Sequence, residues 1–452
     1  MVIIDNPPHS LSTAPPPPPS SPSSTTLSQN VMSWVFQLPS CQSISSLSSS
    51  HQSQPAISLS LPQFQNKQGG ERQFNKQQQA AAMWEHLSLD LLAHVFSFLP
   101  PDSVARAMAA CKHWFDCARS RTPPSRQPPW LVALPARAAR GRPSCYAHDP
   151  ALNRWHVLPL DLFPCPLRLV APVGSSLLCK VAASSDLRLV LLNPFTRQFR
   201  NLPDLTMPRR NPAVGIVVRG VDATSDSSSS FSVIVAGGAW GSCYEPTVEI
   251  YDTGPGGWSL VGPMPVEFAV RLTVWTPNES VHALDGAMYW MTSARAYSVM
   301  GFDLGRRAWR EVKAPMADRL EWAALVRRPS GKLGLVGGYG DGQGTVWELT
   351  EEDKWVAVGG VPAELGRRFW GRSKSVATRC VGGEEAVYLF RDLGSEMLVW
   401  RKSSPSQIKK KKEGEETWEW RLVHGRCCMP NIPIKAALLH PTLSRSSFPA
   451  SL

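Results

Sequence analysis

With 452 residues and a formal net charge of +11, the chain has room for two or three domains and raises the question of a nucleic-acid partner. No run reaches the ~18 apolar residues of a membrane helix, and the N-terminus MVIIDNPPHS lacks a basic start followed by an apolar core. A soluble protein of the nucleus or cytoplasm is expected, with free thiols, because its ten cysteines are scattered and only Cys427-Cys428 form a close couple.

Residues 1–82 are proline-, serine- and glutamine-rich, with the run Pro15–Pro19 and the tract Gln77–Gln79. Such a segment buries too little apolar surface to offset its ordering entropy, so a disordered tail is predicted. The small apolar island Met32–Phe36 within it is read as functionless, with a short linear motif as the alternative.

Residues 83–121 differ sharply. Leu91, Val95 and Phe98 recur at steps of four and three, with Leu92, Phe96 and Leu99 alongside, which is the helical period with a wide apolar face. Ser88 stands where an N-cap belongs, and Asp90 suits the positive end of the helix dipole. Pro100-Pro101 should end this helix. A second helix is predicted from Asp102-Ser103 with Val104, Ala107 and Met108, and a third holding Cys111, Trp114 and Phe115. Three short helices cannot bury so many large apolar side chains alone, so the surplus must face a partner or the rest of the chain.

After a proline-rich hinge at 122–129, helical periodicity vanishes, and short apolar runs alternate with turn residues to about 440. A C-terminal tail at 441–452 follows. A repeat emerges in the 130–440 region. Its first half is a β-run ending in small residues, as in Val233–Gly238, Leu333–Gly338 and Thr378–Gly383. Two copies have Leu177-Leu178-Cys179 and Met288-Tyr289-Trp290 instead of a glycine pair. Its second half is a strand, a polar turn opened by a residue such as Asp149, Asn193, Asp252 or Asp303, then an aromatic. Six aromatics close the copies: Trp155, Phe199, Trp258, Trp309, Trp355 and Trp420. The glycines permit close backbone approach, the Asp caps its own turn, and the flat tryptophan suits a wedge between sheets. The first copy lacks a strand at its start, and Ile434–Leu439 is available to supply it and close a ring without open edges.

Enzymatic and nucleic-acid readings find little support. The run Gly338–Gly344 precedes a β-type segment with Val346 and Trp347, not a helix opening on Lys-Ser/Thr, so a hairpin turn is predicted there and not a phosphate loop. His148, His156, His282 and His424 show no ligand spacing, and no nucleophile elbow is present; no metal, cofactor or catalytic residue is expected. Part of the positive charge lies in Lys409–Lys412, followed at once by Glu413, Glu415 and Glu416; a solvated loop or a weak nuclear-import signal fits this segment better than direct nucleic-acid binding.

The helical stretch resembles the F-box. Leu99-Pro100, Cys111-Lys112-His113-Trp114 and Asp90-Leu91-Leu92 with Val95 match its pattern, while Ser88 stands where the family usually has proline. The repeats resemble kelch repeats, and six copies imply a six-bladed all-β propeller. Together they are similar to the plant F-box/kelch family, a small all-α F-box followed by a degenerate kelch propeller. That resemblance implies a non-catalytic, substrate-recognition subunit of an SCF-type cullin–RING ubiquitin ligase, docked on a Skp-type adaptor. The adaptor contacts it implies are Leu87, Leu91, Leu92, Val95, Leu99, Pro100, Val104, Cys111 and Trp114. The alternatives are a scaffold or transcriptional co-regulator acting without ubiquitylation, and for the helices an ordinary connector packed on the β domain.

A proline followed within a few residues by arginine recurs after the closing strands: Pro208 before Arg209 and Arg210, Pro265 before Arg271, Pro315 before Arg319, Pro362 before Arg367 and Arg368, and more weakly Pro166 before Arg168. Inter-blade connections emerge on one face of a propeller, so these arginines are expected to ring one mouth and receive an acidic or phosphorylated protein substrate. The competing reading makes each a repeat residue bonding backbone between blades.

Overall fold

The computed structural model describes residues 87–120, 126–135, 143–218, 230–274, 280–294, 296–339, 343–371, 377–391, 396–402, 418–424 and 434–443. The tail at 1–82 and the lysine run Lys409–Lys412 lie outside them.

Three helices open the described chain: α1 (Leu89–Ser97), α2 (Pro101–Ala110) and α3 (Lys112–Ser120). Ser88 caps α1 as expected, its hydroxyl accepting from the Leu91 amide at 3.3 Å. Two boundaries differ from expectation. Pro101 is itself the first residue of α2, because its missing N–H and fixed φ suit that position, and the extended Pro100 makes the turn. Cys111 is not in the third helix; it is an extended link (φ −156°, ψ 163°) between α2 and α3. Leu92, Phe96, Val104, Met108 and Cys117 fill the centre of the triad, and Trp114 meets Phe96 edge-on at 6.1 Å.

From Trp130 onward the chain builds four-stranded antiparallel blades. Blade 1 takes β1 (Trp130–Pro135), β2 (Ser144–Asp149) and β3 (Arg154–Pro159). Blade 2 is β4 (Leu167–Val173), β5 (Ser176–Val181), β6 (Leu189–Asn193) and β7 (Gln198–Asn201). Blade 3 has β8 (Ala213–Val218) and β9 (Phe231–Ala236), then a small hairpin of β10 (Ala239–Trp240) and β11 (Cys243–Tyr244), then β12 (Thr247–Asp252) and β13 (Gly257–Pro263). The helix α4 (Val266–Val274) leads to blade 4: β14 (Ser280–His282), β15 (Ala287–Ser293), β16 (Tyr297–Asp303) and β17 (Ala308–Lys313). Blade 5 is β18 (Trp322–Arg327), β19 (Leu333–Tyr339), β20 (Gln343–Leu349) and β21 (Trp355–Gly360). After α5 (Ala363–Trp370), blade 6 is β22 (Arg379–Gly382), β23 (Ala386–Phe390), β24 (Met397–Lys402) and β25 (Trp418–Val423).

The ring closes as the short first repeat predicts. The last strand, β26 (Ile434–Leu439), pairs antiparallel with β1, Trp130 opposite Leu439 and Pro135 opposite Ile434. It thereby becomes the innermost strand of blade 1, and the innermost strands β26, β4, β8, β14, β18 and β22 contact one another in a circle. The fold is a six-bladed propeller.

Its core consists of wedges between blades. One wedge joins blades 4 and 5 around Tyr289 and Trp347, another blades 3 and 4 around Trp290 and Phe302. The closing tryptophans serve these wedges: Trp258 donates to the carbonyl of Pro203, on the connection out of blade 2, and Trp355 to that of Lys313, the last residue of β17 in blade 4, each at 2.8 Å. Phe199 departs from the pattern, remaining exposed with its ring edge-on to Phe163. The polar turns also follow the expected mechanism: Asp149, Asn193 and Asp303 each accept two backbone amides through one side-chain oxygen. Gly338 lies where an added Cβ would come 2.4 Å from the Gln343 carbonyl oxygen, which explains one glycine pair. The pair at Gly382-Gly383 is not equivalent, since it ends the innermost strand of its blade and not the second one. The strands that flank the glycine-rich run pair antiparallel, Tyr339 opposite Gln343, as a hairpin requires, and residues 340–342 between them lie outside the described residues.

Strand direction defines two faces. The outer-to-inner connections and the turns between second and third strands share one, here called upper; Ala213 at the start of β8 lies opposite Ala236 at the end of β9 on that side. The chain enters β1 from the lower face, beside the end of β26. The helical triad sits there: the Arg126 amide donates to the Ser97 carbonyl at 2.9 Å, the Arg126 guanidinium lies 4.7 Å from the Phe98 ring centre, and Leu443 packs against the triad's core. The chain just past 440 is thus partly a strap and not wholly a tail.

Candidate functional site

Two surfaces bear the residues singled out by sequence. The first is α1. Its apolar period is wide enough to serve two sides: Leu92, Ala93 and Phe96 turn into the triad, while Leu91 (49% exposed), Val95 (37%) and Phe98 (47%) form a stripe on the outside. Leu87, Leu99, Pro100, Cys111 and Trp114 are half-buried around this core. Leu92 and Val104 are corrections to the expected contact set, being buried with no surface for a partner; they hold the helices together instead. Phe98 belongs with the stripe, and its i, i+4, i+7 relation to Leu91 and Val95 was the available signal. The N-terminal end of the stripe's frame is tied down twice: His113 Nε2 lies 3.0 Å from the Leu87 carbonyl oxygen, and the Cys117 thiol donates to the Leu89 carbonyl at 3.4 Å.

The second surface is the upper face. Arg209, Arg210, Arg271, Arg319, Arg367 and Arg368 all lie on outer-to-inner connections, as the repeat spacing implies, with Arg271 on α4 and both Arg367 and Arg368 on α5. Their surroundings differ. Arg209 is a correction: it is fully buried, paired with fully buried Glu249, and donates to the carbonyls of Met207, Gly237 and Thr247. Glu249 also accepts the amides of Thr206 (2.9 Å) and Met207 (3.3 Å), so this pair staples the connection to blade 3. A guanidinium enclosed in that way has no donor left for a ligand. Arg271 pairs with Glu311 at 2.9 Å, and Arg368 with Glu396 at 2.7 Å. Arg210 approaches Asp186 only at 3.9 Å. Among the described residues, Arg319 and Arg367 have no ion-pair partner, but Asp318, Glu321 and Glu364 stand close by in sequence. Charge on this face is therefore compensated locally at Arg209, Arg271 and Arg368.

Sequence reasoning missed the β10–β11 hairpin. It rises from the same face between β9 and β12 with Trp240 and Tyr244 exposed. It also missed Arg328, whose guanidinium lies 4.6 Å from the Trp400 ring centre and 5.0 Å from that of Trp418, clasping blades 5 and 6. An aromatic doublet away from the repeat position was the only signal for either.

The F-box-like family model matches residues 84–122, which include the three helices. Among Arabidopsis thaliana proteins, the chain is similar to Protein UNUSUAL FLORAL ORGANS, 25% identical over 68% of this chain and 74% of that protein. It is similar to F-box only protein 6 at 23% identity over 68% of this chain and 64% of that protein, a little under two thirds of its length. A third relative, an F-box/kelch-repeat protein of the same plant, is 30% identical over 25% of this chain and 28% of its own. An F-box-like triad, a six-bladed propeller and relatives of this kind support a plant F-box/kelch-type family.

Proposed function

We propose that this chain is the substrate-recognition subunit of an SCF-type cullin–RING ubiquitin ligase and is not itself catalytic. The observation that carries the reading is α1: one side fills the triad, and the other leaves Leu91, Val95 and Phe98 in solvent on a helix capped by Ser88 at its start and tied at its end by the Arg126 amide on the Ser97 carbonyl. An apolar stripe on a rigid helix needs a partner surface, and the F-box-like match supports a Skp-type adaptor as that partner. The half-buried Leu87, Leu99, Pro100, Cys111 and Trp114 border the same surface. The opposite face of the propeller then receives a protein substrate, and the chain supplies proximity to a conjugating enzyme carried by the cullin.

Pull-down with a Skp-type adaptor and co-purification of a cullin with the tagged full chain test this. Replacing Leu91 and Val95 with alanine should abolish adaptor capture while the propeller's melting temperature holds. Undiminished capture overturns the docking surface. Adaptor binding without any cullin would favour the scaffold role over the ligase.

A further inference from the structure

We propose that the β10–β11 hairpin of blade 3 is the propeller's anchor for its protein partner, and that the partner presents a segment with an aromatic or large aliphatic side chain beside a carboxylate. The inference rests on the substrate-receptor reading and names the chemistry of the substrate it would take.

The first observation is Trp240. It is 62% exposed, whereas every other tryptophan among the described residues is buried or half-buried in a blade wedge or the helical triad. Tyr244, paired with Ala239 across the hairpin, is 42% exposed. Neither contributes to the core, so the fold gives no reason for two large aromatics here. Gly241 at φ +59° makes the tight turn that holds up the tip.

The second observation is how firmly the hairpin is held. Gly237 and Gly238 adopt φ of +65° and +111° at its base, and an added Cβ at Gly238 would meet the Arg209 side chain at 3.1 Å. The Gly238 amide donates to the Thr273 hydroxyl of α4 at 2.7 Å, and the Glu245 amide to the Gly238 carbonyl at 2.8 Å. Beneath sits the Arg209–Glu249 pair, bonded to the Gly237 and Thr247 carbonyls on either side of the hairpin. A buried ion pair is a poor source of stability compared with apolar packing. Here it fixes the direction of an exposed aromatic tip, and a preorganised tip binds without a large ordering cost.

The third is Arg210. Its backbone is bridged to Ala239 in both directions at 2.8 and 2.9 Å, which sets it at the hairpin's root. Its side chain is 60% exposed and only 3.9 Å from Asp186, too loose to saturate a guanidinium. Tryptophan, tyrosine and arginine are the residues that dominate interface energetics. Asp186 and Glu245 nearby disfavour a polyanion, so one carboxylate next to an apolar anchor fits the site and a nucleic acid does not.

The test uses the full chain, panned against a displayed library of random twelve-residue peptides, followed by fluorescence anisotropy with a selected peptide. Selected sequences should share an aromatic or aliphatic residue adjacent to Asp or Glu. Trp240→Ala should weaken binding about tenfold or more, and Tyr244→Ala less, with melting curves unchanged because both side chains are exposed. Arg210→Glu should lose the acidic peptide and regain affinity when its acid is changed to lysine. Failure to select any peptide, selection without that pattern, or full-strength binding to both aromatic variants overturns the proposal. So does a duplex DNA probe that binds the chain and is released by Trp240→Ala. Adaptor pull-down on the same variants separates the two readings. If the wild-type chain never captures adaptor, the ligase assignment fails while the peptide result stands.

Discussion

The α1 helix and the upper-face connections pose the same question, which side chains are free to meet a partner, and answer it by different physics. On α1 the eight residues from Leu91 to Phe98 contain the answer. The helical period sends Leu92 and Phe96 one way and Leu91, Val95 and Phe98 the other, so neighbours in sequence separate into core and surface. On the connection before β8 no period exists. Arg209 and Arg210 are adjacent, yet one is fully enclosed with Glu249, forty positions on, while the other stands in solvent. A regular element sorts its residues by local geometry. A connection sorts them by whichever distant group it meets.

The largest effect should come from breaking that distant meeting. Arg209→Leu leaves Glu249 buried without its counter-charge, a change expected to cost about 3–5 kcal/mol. Thermal melting of the full chain should show it as a large drop in the propeller transition, and a variant that melts with wild type would remove the staple from the account. Next comes the helix contrast. Leu92→Ala should destabilise the triad by about 2–5 kcal/mol, whereas its neighbour Leu91→Ala should stay within about 0.5 kcal/mol and act on adaptor capture instead. Denaturant melts of both variants, monitored at the helices, decide whether the two sides of α1 differ as described.

A third effect depends on pH. Burial holds His148 and His156 below the ordinary histidine value, against the hydrogen bond that His148 donates to Asn153 Oδ1 in one case and the field of Asp149 in both. The folded protein keeps both neutral, so the unfolded chain takes up protons first as pH falls. Stability should be full above the ordinary value of 6.5 and decline as pH drops through it. Melting temperatures at pH 7.5 and about 5.5 should diverge in the wild type and converge in a His148→Gln, His156→Gln double variant; parallel slopes would assign the acid sensitivity elsewhere. The smallest effect should be Arg271→Ala. Its pair with Glu311 lies near the surface, where such pairs contribute about 1 kcal/mol or less. A loss as large as that of Arg209→Leu would mean that the two arginines share one structural role after all.

Sequence by itself determined the class of each part. The period of α1, the Leu99-Pro100 and Cys111 to Trp114 signatures, the recurring Asp-turn-aromatic unit and the missing first strand fixed a helical triad, six blades and the closing role of Ile434–Leu439. These are local or repeated patterns, and their spacing is dictated by backbone geometry. Tertiary structure alone decided which anchors face outward, why Gly382-Gly383 falls on an inner strand, and that Arg209 is a buried staple beneath Trp240. Those outcomes depend on contacts between residues far apart in the chain, such as Arg209 with Glu249 and Gly238 with Thr273, and no period in the sequence brings such groups together.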